Sequence, residues 1–303
     1  MKDLFFPEKK GEDLLYAQLR DEPRRKKYRN YLENMWVEYQ SLAPKGFKKN
    51  LQNEFYSRWW EMYLAVGLLH LGLNVITSRK DKGPDISLQI NGKQIWIEAV
   101  APKVGVKSDR VPDMVINGVR DIPKREFQLR LSQGIDGKLI AFDGYIKNSI
   151  IQSDEPCIIA VSACNLDHLG PLLEFPCPAP LTVLAGAGDK HITLDGSEES
   201  YLESQESIKR DSNSAVNTIK FEQDDFKIIS AVLYSNTDPL NLNTDPINHS
   251  DFSPESSFKL FINPRAKNPV PYNFSKLIET WTEKKNETDS IWHKTEPVYI
   301  HNK

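Results

Sequence analysis

The sequence predicts an α/β fold, because segments with helical spacing alternate with segments typical of strands. The most apolar helix is expected over residues 53–72, where large apolar residues recur every three or four positions and Gly72 is placed to end it. A second helix is predicted from about Lys124 to Phe142. Predicted strands cover residues 74–78, 84–90, 93–100, 157–163, 228–235 and 258–264.

Composition indicates a folded protein without a membrane span. Of the 303 residues, 39% are hydrophobic and 10% are aromatic, which is ordinary for a globular protein. The chain opens without an apolar stretch of signal-peptide length and has no run of about 18 uncharged apolar residues, so a cytoplasmic protein is expected. Cys157, Cys164 and Cys177 are odd in number and lack a CxxC spacing, which predicts buried free thiols.

The charge is distributed unevenly along the chain. Residues 1–150 contain 26 Lys and Arg against 19 Asp and Glu, a net charge of +7, whereas the remainder contains 13 against 23, a net charge of −10. The basic half includes RRKK at 24–27 and KGFKK at 45–49. An excess of positive charge would suit a phosphate-facing surface, although an ordinary solvated basic face has the same composition.

Three regions are expected along the chain. Residues 1–52 are predicted to be an N-terminal helical segment and residues 53–165 an α/β core. Residues 166–303 are predicted to be an α+β extension packed on that core, with surface loops in its Ser-, Asn- and Asp-rich part. A short helix is expected near residues 274–285.

The strongest local signal is Asn91-Gly92, which lies between two predicted strands. A two-residue type I′ turn needs positive φ at both positions, and these two residues tolerate it. With that turn, paired residue numbers sum to 183, so Asp85 is predicted to lie opposite Glu98. Directly opposed carboxylates repel one another, and the run around Glu98 is apolar enough to be buried.

Something must therefore offset the repulsion between Asp85 and Glu98. A shared proton, a neighbouring Arg or Lys, or a bound divalent cation would each do so, and hard oxygen ligands at this spacing suit Mg²⁺ or Mn²⁺. For either acid alone, a turn position or a buried salt bridge is the simpler interpretation. For the pair, we favour a metal site.

These residues resemble the motif of the PD-(D/E)XK nuclease superfamily. Glu61 lies on a predicted helix, residues 83–85 read Gly-Pro-Asp, and residues 96–100 read Trp-Ile-Glu-Ala-Val. The resemblance implies a restriction-endonuclease-like mixed central sheet flanked by helices. It further implies that Asp85, Glu98, the carbonyl of Ala99 and Glu61 hold Mg²⁺ or Mn²⁺. The implied partner is nucleic acid, with DNA favoured over RNA, and a homodimer is a further expectation.

One position departs from the motif, because Val100 stands where the superfamily has a lysine. The missing cation is expected to come from the following helix, on which Arg130 and Lys138 share a face with Gly134 and which also carries Lys124. The leading hypothesis is a metal-dependent nuclease in which Asp85, Glu98, Arg130 and Lys138 act in catalysis. The alternatives are an inactive nuclease fold that binds nucleic acid or a protein, and an interaction protein whose acids merely pair with Arg or Lys.

Overall fold

A computed structural model describes residues 5–6, 13–77, 83–113, 121–166, 177–192, 200–240, 253–285 and 290–298. Within these ranges eight strands form one mixed sheet. They are β1 (Val75–Thr77), β2 (Ile86–Ile90), β3 (Lys93–Val100), β4 (Cys157–Ser162), β9 (Ala231–Ser235), β10 (Lys259–Ile262), β11 (Glu279–Lys285) and β12 (Ser290–Thr295). Their order across the sheet is β1-β2-β3-β4-β9-β10-β11-β12.

Strand direction changes several times across the sheet. β1, β2 and β3 form an antiparallel meander, and β3, β4 and β9 are parallel. β10 is antiparallel to β9 and parallel to β11, and β12 returns antiparallel to β11. Two small hairpins lie outside the sheet: β5 (Ala187–Ile192) with β6 (Ser200–Ser204), and β7 (Ser207–Lys209) with β8 (Ala215–Asn217).

Helices cover both faces of the sheet. In the described ranges they are α1 (Leu14–Asp21), α2 (Lys26–Tyr39), α3 (Phe47–Leu51), α4 (Phe55–His70), α5 (Lys124–Lys147), α6 (Ala179–Leu184) and α7 (Tyr272–Ser275). None of these helices is long and apolar enough to cross a membrane. The protein is therefore an α/β fold with a large mixed central sheet flanked by helices.

The first core lies between α1 to α4 and one face of the sheet. Ile95, Ile97 and Ala99 of β3 point into it, as two-residue alternation along a strand requires. Helix α4 is buried around most of its circumference, as its sequence predicts, and the indole nitrogen of Trp60 donates a hydrogen bond to the carbonyl of Ala160 in β4 at 3.0 Å. This face positions α4 directly over the central strands.

The second core lies on the opposite face, beneath α5 and α6. Trp96 and Val100 of β3 pack against it, so Glu98, which lies between them, faces α5. Gly134 allows α5 to approach closely, because a Cβ there would lie 2.7 Å from Cγ of Pro102 and 3.5 Å from Cγ2 of Val100. The close approach predicted for the Gly134 face is confirmed.

The β2–β3 hairpin has the predicted register. Paired residues run from Ile90 with Lys93 to Ile86 with Ile97, and each pair sums to 183. Asn91 and Gly92 have φ values of 52° and 77°, the positive values that a two-residue type I′ turn needs. The turn chemistry therefore fixes which residues meet at the far end of the hairpin.

The predicted core and the predicted C-terminal extension share one sheet. The region 53–165 supplies β1 to β4, and the region 166–303 supplies the remaining four strands of the same sheet. The helix expected near residues 274–285 is wrong over most of its length, because α7 ends at Ser275 and residues 279–285 form β11, where Thr and Trp side chains suit a paired strand. The three cysteines are buried and form no disulfide with one another, as predicted.

Candidate active site

Asp85 and Glu98 meet at the open end of the β2–β3 hairpin. The backbone N–H of Asp85 donates to Oε2 of Glu98 at 3.1 Å, and the backbone N–H of Ala99 donates to Oδ2 of Asp85 at 2.8 Å. Each acid is thus held by a backbone group from the other strand. The two carboxylates predicted to face one another do lie together, and the backbone fixes their orientation.

Lys138 of α5 supplies a positive charge at this pair. Its Nζ lies 2.9 Å from Oε1 of Glu98, in an ion pair whose side chains are 24% and 7% exposed respectively. The hydroxyl of Tyr145 donates to the same oxygen at 3.5 Å. Val100 packs on the same face, so the cation reaches the acids from the helix rather than from the strand position that the motif would use.

The electrostatics of Glu98 reflect two opposing influences. Burial raises the pKa of Glu98 above its ordinary value, the charge on Asp85 raises it further, and Lys138 lowers it. Burial, with the nearby charges of Glu98 and Asp85, also raises the pKa of Tyr145 to about 12, so this hydroxyl stays protonated and remains a donor. A second positive charge close to the two acids would be electrostatically favourable.

Glu61 lies near the pair but is held by a different partner. It projects from α4, and both of its oxygens accept hydrogen bonds from Nη1 of Arg58, at 2.6 and 2.8 Å. Burial, followed by the charge of Asp85, raises the pKa of Glu61 to about 8. Burial, followed by the charges of Glu61 and Asp85, raises the pKa of Tyr39. Glu61 and Tyr39 therefore share the electrostatic environment of Asp85.

The carboxylates offer hard oxygen donors of the kind that Mg²⁺ and Mn²⁺ prefer. Asp85, just before β2, and Glu98 of β3 contribute these donors, whereas Glu61 of α4 is bonded to Arg58. Across the part of the chain that the structure describes, however, no group of three or more His, Cys, Asp or Glu side chains is arranged to hold a metal ion. The chemistry of the donors fits a divalent cation, and the two-acid pair is the part of the predicted set that is assembled.

The other predicted cations lie elsewhere on α5. Arg130 contacts the segment around Gly105, where a Cβ would lie 2.8 Å from Nη1 of Arg130. Lys124 pairs with Asp189 of β5. Arg130 is eight residues before Lys138, about 12 Å along the helix axis, so the two side chains do not meet at one atom. Lys138 is the predicted α5 cation that the structure places at Glu98.

The basic N-terminal segments have partners of their own. Arg24 and Arg25 pair with Glu22 at 2.6 and 3.0 Å, and Nζ of Lys48 lies 5.0 Å from the centroid of the Trp36 ring. Part of the positive charge that the sequence assigns to a phosphate-facing surface is thus neutralised or packed within α1 to α3. The proposal that these segments attract a polyanion remains a prediction.

Sequence reasoning missed two residues at the site. Tyr145 lies seven positions after Lys138 and hence on the same helical face, but the predicted helix ended at Phe142. Arg58 lies three positions before Glu61, a spacing that places the two side chains side by side on a helix. Both signals are present in the sequence once the helix boundaries are known.

Comparison of the chain with protein-family models, with curated proteins and with solved structures returns no match.

Proposed function

We propose that the protein is a metal-dependent nuclease that hydrolyses phosphodiester bonds in nucleic acid, with a PD-(D/E)XK-type site. The observation that carries the proposal is the contact of Lys138 with Glu98 beside Asp85, with Nζ 2.9 Å from Oε1. Lys138 thus provides a lysine at the acid pair, although Val100 occupies the position where the motif has its lysine. The order α4, β1, β2, β3, α5, β4 also supports the proposal, because it is the order that the resemblance implies.

The proposed metal ligands are Asp85, Glu98, the carbonyl of Ala99 and Glu61. A divalent cation bound there would polarise a phosphate oxygen and lower the pKa of a water molecule. The backbone N–H of Ala99 would keep the Asp85 carboxylate in place, as it does in the structure. Glu61 would approach from α4, and its raised pKa means that it would release a proton on becoming a ligand.

The role proposed for Lys138 is electrostatic. Its Nζ has three N–H donors, of which one can remain on Glu98 while another points to a phosphate oxygen. Charge that develops on the phosphate in the transition state would be stabilised by this fixed ammonium group. Tyr145 would hold Glu98 in position, because its protonated hydroxyl donates to the oxygen that Lys138 contacts.

A second candidate is an inactive nuclease fold that binds nucleic acid or a protein partner. The observation that favours it is that both oxygens of Glu98 already accept hydrogen bonds, Oε2 from Asp85 and Oε1 from Lys138. With Val100 in place, Lys138 would then serve only to neutralise a buried acid. The two candidates differ in whether a divalent cation binds and whether it supports cutting.

The test combines metal binding with digestion. Wild type should gain thermal stability on titration with Mn²⁺, and Asp85→Asn and Glu98→Gln should lose that gain. Asp143→Asn serves as the matched control, because Asp143 is a half-exposed acid on α5 that pairs with Lys147. Labelled single- and double-stranded DNA and RNA are then incubated with each protein and Mn²⁺.

Cutting by wild type and by the Asp143 variant, but not by the two site variants, would support the nuclease. Absence of both the gain in thermal stability and the cutting of any substrate would favour the inactive binder. Cutting that is equal in wild type and in Glu98→Gln would overturn the proposal, because it would show that the activity does not come from this site.

A further inference from the structure

A cleft separates the segment that follows β3 from the first half of α5. It is lined by residues 100–106 on one side and by Arg130, Gln133 and Gly134 on the other, and its volume is about 560 Å³. Lys103 and Arg130 are its charged lining residues, and none of the described residues that line it is acidic. We call it the α5 cleft. A cleft with cationic and no acidic lining favours an anionic ligand.

The fold makes room for the guanidinium group of Arg130. Gly105 has a φ of +88°, and a Cβ at that position would lie 2.8 Å from Nη1 and 3.0 Å from Cζ of Arg130. A side chain at position 105 would therefore displace the guanidinium group, so glycine is required both for the backbone conformation and for the contact.

Arg130 is incompletely satisfied. Its Nε is buried and has no hydrogen-bond partner among the described residues. Asp109 pairs with Arg125 at 2.9 Å, and no described acid forms an ion pair with Arg130. Arg130 lines the cleft and no described acid neutralises it, so its guanidinium charge is available to an anionic ligand in the cleft.

The α5 cleft lies along the helix from the acid pair. Arg130 and Lys138 are eight residues apart, which corresponds to about 12 Å along the helix axis. Gly134 lies between them, where Pro102 approaches the helix. One phosphate group cannot contact both cations across that distance, whereas a nucleic-acid strand carries a phosphate at every nucleotide. Two cations on one face at this spacing suit two phosphates of one strand.

We propose that the α5 cleft binds a second phosphate group of the nucleic-acid strand whose scissile phosphate lies at Lys138. The inference rests on the proposed function and makes Arg130 a positioning residue rather than a group at the reacting phosphate. The planar guanidinium fork suits the paired oxygens of a phosphodiester, and the exposed Lys103 adds a flanking positive charge. The ligand class is a linear phosphodiester of several nucleotides.

The first experiment measures binding without catalysis. Fluorescent single-stranded oligonucleotides of mixed sequence are titrated with the full chain in EDTA at several salt concentrations. Arg130→Gln should weaken binding about tenfold. It should also reduce the slope of log K against log salt by the amount that one phosphate contact contributes. Arg130→Lys should bind with an affinity between those of wild type and Arg130→Gln. Lys147→Gln, on the same helix with a side chain that is 72% exposed, should bind like wild type.

The second experiment locates the phosphate. Oligonucleotides carry one neutral methylphosphonate linkage, moved one position at a time. Wild type should lose about tenfold in affinity when the linkage occupies the α5 cleft, and Arg130→Gln should no longer respond there while still responding at other positions. Thermal unfolding of each variant checks the fold. If Arg130→Gln does not fold, the comparison uses Arg130→Lys, whose response at that linkage should be reduced.

Failure of this inference can be told apart from failure of the nuclease proposal. Arg130 variants that bind with wild-type affinity and salt slope would overturn the inference, and any Mn²⁺-dependent cutting would still stand. A position-specific loss in EDTA without cutting in Mn²⁺ would support the cleft and refute the nuclease. Absence of oligonucleotide binding by wild type would overturn the inference directly.

Discussion

Replacing Lys138 with methionine tests whether the buried Glu98 depends on its partner. Methionine keeps an unbranched chain of similar length and removes the charge. Removal of one member of a buried ion pair generally costs about 3 to 5 kcal/mol, because the remaining charge is left uncompensated. Lys138 is 24% exposed, so water would reach Glu98 in the variant, and the N–H of Asp85 would still donate. We therefore expect a loss of about 2 to 3 kcal/mol at pH 8.

The loss should depend on pH in a defined direction. The pKa of Glu98 in the folded protein is already raised, so its contribution to stability is present at low pH and is lost as pH rises through that pKa. Lys138 lowers this pKa, so its removal moves the titration to higher pH and increases the loss at pH 8. As pH falls, the carboxyl group of the variant becomes protonated before that of wild type, so the difference in stability between the two proteins should become smaller.

Urea unfolding of wild type and Lys138→Met at pH 5, 6, 7 and 8 measures the effect. Lys147→Met is the matched control, because this α5 lysine pairs with Asp143 on the surface and should change stability by less than about 0.5 kcal/mol. The double variant Lys138→Met with Glu98→Gln should recover most of the loss. An equal loss at pH 5 and pH 8, or a double variant as unstable as the sum of the single variants, would refute this reasoning.

Four further substitutions test other parts of the fold. Glu61→Gln should become more stable than wild type as pH rises from about 4.5 towards 8, because the raised pKa of Glu61 means that its ionisation opposes folding. The difference in the free energy of unfolding between the two proteins, measured by thermal unfolding, should reach at most about 5 kcal/mol. In thermal unfolding, Gly105→Ala should lower the free energy of unfolding by about 1 to 2 kcal/mol, because φ is +88°. Gly137→Ala, at a helical position with open space around it, should raise the free energy of unfolding by up to about 1 kcal/mol. Trp60→Phe should cost about 1 to 3 kcal/mol in urea unfolding, because it removes a buried hydrogen bond to Ala160.

The pairing of Asp85 with Glu98 could be predicted from sequence because each step follows from local geometry. Asn91-Gly92 selects a two-residue turn, and the pairing then advances by one residue on each strand. The same reasoning placed Lys138 on the helical face that approaches the sheet. It could not place Arg130, because helical periodicity states which side a residue faces and not how far along the axis its contacts lie.

Other features depend on tertiary contacts that leave weak local signals. Residues 279–285 contain Glu and Lys, which are common in helices, yet they form β11 because β10 and β12 pair with them on either side. The sequence predicts an end of α5 near Phe142, which leaves out Tyr145, whereas the helix continues to Lys147 because its last turn is held by the fold. The hydrogen bond between Arg58 and Glu61 could not be predicted, because the sequence does not show that the Glu61 side chain points along α4 and not fully towards the hairpin.

The sheet order has a consequence for synthesis of the chain on the ribosome. Every residue of β4 is buried, and one of its edges pairs in parallel with β9, which is made about 70 residues later. A nascent chain that has reached residue 166 contains the acid pair and Lys138, but the edge of β4 that later pairs with β9 is still unpaired. An unpaired apolar strand edge favours aggregation with other chains. The late strand β9 therefore covers the edge of β4 that the earlier part of the chain leaves unpaired.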